Sequence, residues 1–136
     1  MTDIAADSRS VTLERELPHP PEKVWRALTE QPLIDDWLMK SDFRPEVGHK
    51  FQLKAEWGTV DCEVLEVEPR RALAYRWDAY GLRSIVRWTL AAAAGGTRLT
   101  MQQTGFQPGQ DQFYEGARAG WPAFLNGLED VLARIA

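Results

Sequence analysis

The feature of the sequence that most restricts the possible folds is its last segment, residues 111–136, which has the apolar spacing of a long, one-sided helix. Its apolar residues recur three and four positions apart, as on one face of an α-helix. They are Phe113, Ala117, Trp121, Phe124, Leu125, Leu128, Leu132 and Ile135. A helix of about 25 residues, about 37 Å long at 1.5 Å per residue, therefore needs a large apolar surface to cover one side. Asp111 is the expected N-cap, and Pro122 is expected to kink or divide the helix because it removes a backbone hydrogen bond.

The surface that covers this helix is predicted to be a sheet, because residues 50–106 alternate apolar and polar side chains with period two. We expect strands over residues 10–17, 50–57, 60–68, 72–78, 82–93 and 97–106. Short turns join most of them, including a tight hairpin at Gly95-Gly96, so neighbouring strands should run antiparallel. The alternation changes parity near Val64, which indicates a bulge or a change of burial there.

Two short helices are predicted between the first and second of these strands. Proline residues end the first strand and precede a helix over residues 22–29, and Pro32 separates it from a second helix over residues 33–37. Residues 1–9 are small and polar and are expected to form a flexible tail, which leaves residues 10–136 as a single domain. The predicted class is α+β: a curved antiparallel sheet of about six to seven strands wrapped around a long C-terminal helix.

Composition excludes several kinds of partner. A net charge of −4 and a pI of about 5.2 disfavour nucleic acid, which requires a basic surface. The single cysteine, Cys62, cannot form an internal disulfide. No apolar run approaches the length of a membrane span and the first residues lack a secretory pattern, so we expect a cytoplasmic protein without membrane insertion. Nothing in the pattern favours one oligomeric state.

Five separate segments, in the same order along the chain, carry a family resemblance. They are ELPHPPEKVWRALTEQPLIDDWL, FRPEVGHKFQL, CEVLEVEPRRALAYRW, VRWTLAAAAGGTRLTMQQTGF and GWPAFLNGLEDVL. In this order they resemble the SRPBCC (START/birch-pollen-allergen-like) superfamily, and within it the group named for the activator of heat-shock protein 90 ATPase, over about residues 10–135. The resemblance implies a helix-grip fold with an apolar cavity between the sheet and the final helix. The superfamily includes lipid carriers, hormone receptors, cyclases and oxygenase subunits, so the fold alone does not specify the chemistry.

The resemblance makes the inward-facing large residues candidates for the walls of that cavity, and six tryptophans are available in the chain. The candidates are Trp37, Phe51, Leu53, Trp57, Tyr75, Trp77, Val86, Trp88, Met101, Trp121 and Phe124. Any one of them could instead fill the core. Trp121, beside Pro122, is expected to be both a core residue and a cavity wall.

Three functions are compatible with these expectations. The favoured hypothesis is a non-catalytic binding module for a small hydrophobic or aromatic molecule. The alternative is a cofactor-independent enzyme of cyclase, dehydratase or hydrolase type, in which Tyr75, Asp78 or His49 acts as general acid or base on such a molecule. A chaperone-associated protein would need an apolar or charge-complementary patch on the outer sheet face, where the sequence places Thr, Gln, Arg and Glu.

Other polar residues give weaker signals. His19 lies among prolines and His49 in a turn, without clustered ligands at metal-binding spacing, so no metal is expected. Asp35 and Asp36 are adjacent on a helix and point about 100° apart. Gly95-Gly96 joins two strands instead of opening a helix and does not form a phosphate loop. No cofactor is predicted.

Overall fold

The structure, a computed structural model, describes residues 9–136 as ten elements in one chain. In chain order they are β1 (Arg9–Leu17), α1 (Pro21–Thr29), α2 (Gln31–Trp37), β2 (Lys40–Ser41), β3 (Lys50–Ala55), β4 (Gly58–Glu68), β5 (Ala72–Ala79), β6 (Leu82–Ala93), β7 (Gly96–Phe106) and α3 (Asp111–Arg134). The predicted tail over residues 1–9 lies outside the described residues except for Arg9, which begins β1.

The seven strands form one antiparallel sheet in the order β1-β7-β6-β5-β4-β3-β2. The chain therefore builds a meander from β2 to β7, and β1 is added beside the last strand. The long helix α3 packs against β1, β7 and both short helices. This is the α+β helix-grip architecture that the sequence predicted.

Side-chain alternation sets the inner face of the sheet, as the period-two pattern indicated. In β6 the side chains of Val86, Trp88 and Leu90 are buried and those of Arg83 and Arg87 are exposed. The register of β4 against β5 shifts between Val64 and Glu66, which agrees with the first of the two alternatives, a bulge. The hairpin between β6 and β7 is also confirmed, with Ala93 paired to Gly96.

The region between α1 and β3 differs from the prediction. The helix α2 begins at Gln31, and Pro32 occupies its first turn, where a missing N–H breaks no helical hydrogen bond. The two-residue strand β2 was not predicted, because two residues carry no readable period. The strand β3 ends at Ala55, so Trp57 lies in the β3–β4 turn and not on the inner face of a strand.

The helix α3 is continuous through Pro122, so this proline does not divide it, and the alternative of a kink stays a prediction. Gln110 occupies the N-cap position without a side-chain capping bond, and Asp111 is the first helical residue instead of the cap. Two arginines of the edge strand β1 bond to the helix. Arg15 donates to Asn126 at 2.8 Å and to the carboxylate of Glu129 at 2.5 Å, and Arg9 lies 3.3 Å from the carboxylate of Asp111. None of the helices among residues 9–136 has the length and apolar character needed to span a bilayer.

Candidate functional site

A cavity of about 350 Å³ lies beneath the first half of α3. Its walls come from the adjoining ends of β5, β6 and β7, from the β3–β4 and β5–β6 turns, and from α3 itself. The lining residues are Met39, Trp57, Trp77, Ala79, Tyr80, Leu82, Gln103, Phe106, Gln112, Phe113, Gly116, Ala117, Gly120, Trp121 and Phe124. We call this space the aromatic cavity. Its volume falls within the range of about 300–1,000 Å³ usual for small-molecule sites.

The aromatic cavity exists because α3 presents very small side chains to the sheet along its first turns. Gly116, Ala117 and Gly120 line it, and a Cβ atom added at either glycine would meet no other atom within 4 Å. Further along the same helix the packing is close, since a Cβ atom at Gly127 would lie 3.4 Å from the carbonyl oxygen of Trp37. The space is therefore a consequence of side-chain size at particular helix positions.

The rim of the aromatic cavity is formed by two hairpin turns that carry exposed aromatic rings. Trp57 is 56% exposed and Tyr80 is 65% exposed, and their ring centroids lie 6.1 Å apart. The Tyr80 hydroxyl donates to the Trp57 carbonyl oxygen at 2.6 Å. A side chain at Gly58 would overlap that hydroxyl. The two turns are thus held together at the entrance.

Positive φ angles shape the turn that presents Tyr80. Tyr80 has φ 53° and Gly81 has φ 86°, and they connect the paired residues Ala79 and Leu82. Positive φ at both central residues is the signature of the hairpin turn whose twist matches that of the flanking strands. This conformation places the tyrosine at the rim.

Trp121 forms part of the floor of the aromatic cavity and packs among aromatic rings of the lining and of the core. Its ring centroid lies 5.1 Å from that of Trp77, 5.7 Å from that of Trp88 and 5.5 Å from that of Phe124. Trp121 is only 2% exposed. The ring therefore belongs to the core and lines the cavity as well.

A single polar network crosses this apolar floor. The indole N–H of Trp121 donates to Gln103 Oε1 at 2.8 Å, and Gln103 Nε2 donates to Ser84 Oγ at 2.9 Å. The Ser84 hydroxyl in turn donates to the backbone carbonyl of Trp77 at 2.6 Å. Both Gln103 and Ser84 are buried.

The direction of this network is fixed at both ends. The Trp121 indole can only donate, and the Trp77 carbonyl can only accept. The Gln103 amide oxygen must therefore face Trp121, and its nitrogen must face Ser84. The amide lies in one defined orientation in the cavity floor.

The structure brings four of the eleven sequence-predicted residues together in the aromatic cavity: Trp57, Trp77, Trp121 and Phe124. The other seven do not line it and are buried in the core instead. They are Trp37, Phe51, Leu53, Tyr75, Val86, Trp88 and Met101. The Trp37 indole, for example, donates to the Ala27 carbonyl at 2.8 Å and tightens the contact between the two short helices.

The residues considered for acid or base catalysis lie away from the lining. The Tyr75 hydroxyl accepts a hydrogen bond from Trp88 Nε1 at 3.0 Å, and burial raises its pKa. The Asp78 carboxylate accepts the backbone N–H of Ser84 at 3.2 Å. His49 stacks on Phe51 and donates from Nε2 to a backbone carbonyl at 2.9 Å. The described lining contains no Asp, Glu, His, Cys, Lys or Arg side chain.

Cys62 is a buried core residue. Burial and, to a smaller extent, the nearby Asp78 raise the pKa of its thiol, which favours the unreactive protonated form. Within residues 9–136, no group of three or more His, Cys, Asp or Glu residues is placed to hold a metal ion.

Sequence reasoning missed several lining residues, of which Gln103 is the most informative. It has the same parity in β7 as the inward residues Leu99 and Met101, so the alternation pattern already placed a polar side chain on the inner face. Gly116 and Gly120 also carried a signal. Glycine destabilises the interior of a helix, and two glycines four residues apart leave one face of the helix without side chains.

The chain is similar to several known proteins. A sequence model of the family described as "Activator of Hsp90 ATPase homolog 1-like protein" matches residues 18–133. The crystal structure of protein MLL2253 from Mesorhizobium loti is 50% identical, with a TM-score of 0.91 over 94% of this chain and 99% of that one. The solution structure of protein BH1534 from Bacillus halodurans is 26% identical, with a TM-score of 0.81 over 91% and 96% of the two chains.

A third similar structure is that of DynU16, a protein of the dynemicin biosynthetic locus. It is 29% identical with a TM-score of 0.79, and the match covers 94% of this chain but only 48% of DynU16, so this chain spans about half the length of that protein. A comparison with curated proteins gave no match.

Proposed function

We propose that this chain, which belongs to the family of Activator of Hsp90 ATPase homolog 1-like proteins, is a binding module that holds a small hydrophobic or aromatic molecule in the aromatic cavity without converting it. The observation that carries the proposal is the cavity itself: about 350 Å³ of space walled by Trp57, Trp77, Trp121 and Phe124 and left open by glycines of α3. Such a site gains affinity mainly from apolar burial and ring contacts.

The make-up of the lining supports binding over catalysis. General acid and base catalysis needs a titratable group within hydrogen-bond reach of the reacting atoms. In the described lining, the single titratable side chain is Tyr80, whose hydroxyl is already bonded to the Trp57 carbonyl at the exposed rim. Tyr75, Asp78 and His49 lie outside the lining, so the observation that would favour an enzyme is missing from the cavity.

The outer face of the sheet gives less support to a chaperone-binding role. Its exposed side chains in β1 and β7 pair with one another, as in the contacts of Arg98 with Glu14 and Glu16. The similarity to a protein of a biosynthetic locus agrees better with a small-molecule ligand, since biosynthesis handles small organic molecules.

Thermal-shift screening against a library of lipids and aromatic metabolites tests the proposal, with tryptophan fluorescence as a second readout. A bound molecule should raise the melting temperature as its concentration exceeds the dissociation constant. It should also change the emission of Trp57, Trp77 and Trp121. Absence of any binder tighter than the millimolar range would contradict the proposal.

A pair of helix variants distinguishes binding in the cavity from binding elsewhere. Gly120→Leu puts a large side chain into the open space, whereas Ala119→Leu adds the same side chain at the exposed neighbouring position. The first substitution should abolish or strongly weaken binding, and the second should leave it unchanged. Equal behaviour of the two variants would place the ligand outside the aromatic cavity.

A further inference from the structure

The amide of Gln103 has one hydrogen-bond donor that the protein does not use. Its side chain is 2% exposed and lines the aromatic cavity. Oε1 accepts from Trp121, and Nε2 donates to Ser84. A primary amide carries two N–H bonds, and among residues 9–136 Nε2 donates to Ser84 and to no second protein atom. A buried N–H without an acceptor is costly, so such a group is usually bonded to something.

The fixed orientation of the amide decides what that second bond can be. The network cannot reverse, because Trp121 only donates and the Trp77 carbonyl only accepts. Gln103 therefore keeps its nitrogen, not its oxygen, toward Ser84. The unused donor calls for an acceptor atom.

Resting on the function proposed above, we infer that the ligand is an uncharged aromatic molecule with a carbonyl oxygen, and that Gln103 Nε2 donates its second hydrogen to that oxygen. The rings of Trp77 and Trp121 supply the apolar contact, and Gln103 supplies the single directional bond. The ligand is uncharged because the described lining residues carry no formal charge to pair with an ionised group.

Two matched probes measure the contribution of this bond: 2-acetylnaphthalene, which has a carbonyl, and 2-ethylnaphthalene, in which a methylene replaces it. The parent protein should bind the ketone about 3- to 10-fold more tightly, the usual net effect of one neutral hydrogen bond. The variant Gln103→Met keeps the length of the side chain but removes the donor. The preference for the ketone should disappear in this variant, with the affinity for the hydrocarbon changed little.

The outcomes separate this inference from the proposed function. Equal affinity of the parent protein for both probes would overturn the role of Gln103 and leave the cavity as an apolar site. A ketone preference that survives Gln103→Met would also overturn it. Failure of both probes to bind the parent protein would overturn this inference, whereas the proposed function is decided separately by the library screen.

A third probe tests the requirement for an uncharged ligand. The anion 2-naphthoate has nearly the shape of 2-acetylnaphthalene, and it should bind about tenfold more weakly or worse because its charge would be buried without a partner. Tighter binding of the anion than of the ketone would show that the inferred ligand class is wrong.

An infrared measurement keeps the inference testable if Gln103→Met fails to fold. The carbonyl stretch of 2-acetylnaphthalene bound to the parent protein should lie at lower frequency than in an alkane solvent, as expected for an oxygen that accepts a hydrogen bond. A matched Gly120→Leu sample should lose this band because the cavity is filled. A bound probe whose stretch equals the alkane value would contradict the inferred bond.

Discussion

The two halves of α3 belong to one amphipathic helix, but the first half covers an open cavity and the second half covers a packed core. In the first ten residues, 111–120, no residue is buried, and Gly116, Ala117 and Gly120 line an open cavity. In the remainder, Trp121, Leu125, Leu128, Val131 and Leu132 are all buried in the core. The comparison shows that the helical period decides which face turns inward, while the size of the inward side chains decides whether that face meets a packed core or an open space.

Trp121 lies at the junction of the two halves and is expected to give the largest effect. Trp121→Ala should reduce the free energy of unfolding by about 3–5 kcal/mol, because it removes a buried ring packed against other aromatics. It also leaves Gln103 Oε1 without its donor. Chemical denaturation beside the parent protein measures the change.

The matched control for this substitution is Trp57→Ala, which removes the same side chain from the exposed rim. Its cost should be below about 1 kcal/mol, in keeping with a residue that is 56% exposed. A change smaller than about 0.5 kcal/mol at Trp121 would show that the inner face of α3 has been wrongly assigned.

Truncation of one apolar residue in each half compares the core with the cavity directly. Leu128→Ala, at a residue with 0% exposure, should cost about 3 kcal/mol, whereas Phe113→Ala, at a half-buried cavity wall, should cost about 1 kcal/mol. Truncating the smaller side chain, that of Leu128, is thus expected to cost more free energy of unfolding than truncating Phe113. Equal costs in urea denaturation would mean that the first half of α3 is packed as tightly as the second.

Two glycine substitutions give the smallest and most specific difference. Gly120→Ala should raise the free energy of unfolding by roughly 0.5–1 kcal/mol, since alanine is the better helix former and its Cβ meets open space. Gly127→Ala should gain less, because its Cβ would lie 3.4 Å from the Trp37 carbonyl oxygen and that backbone atom has little room to move. A larger gain at Gly127 than at Gly120 would reverse the assignment of open and packed halves.

The sequence predicted the fold well because its main signals are periodic. Alternation in β1 and β6 and the three- and four-residue spacing of α3 specify which face of each element is apolar, and burial in the structure follows that face. The parity change at Val64 correctly marked a bulge. The element that was missed, β2, is two residues long and too short to show a period.

The site could be predicted only in part, because a period gives the face of a residue and not its position along the sheet. Leu53, Trp88 and Met101 share the inner face with Trp77, but they are buried in the core and do not line the cavity. Trp57 reaches the cavity for another reason: the strand ends before it, and the turn places its ring at the rim. Gln103 also has inward parity in β7, but a polar side chain adds nothing to an apolar period and is not marked by it.

One measurement tests most directly whether the first half of α3 covers a ligand site and the second half a packed core. It is the ¹H–¹⁵N spectrum of the six tryptophan indole N–H groups, recorded with and without saturating 2-acetylnaphthalene. The signals of Trp57, Trp77 and Trp121 should move because their rings line the aromatic cavity. The signal of Trp37 should stay in place, since its N–H is bonded to the Ala27 carbonyl in the core. Shifts as large at Trp37 as at Trp121, or an unchanged spectrum at the solubility limit of the probe, would contradict a ligand site under the first half of the helix.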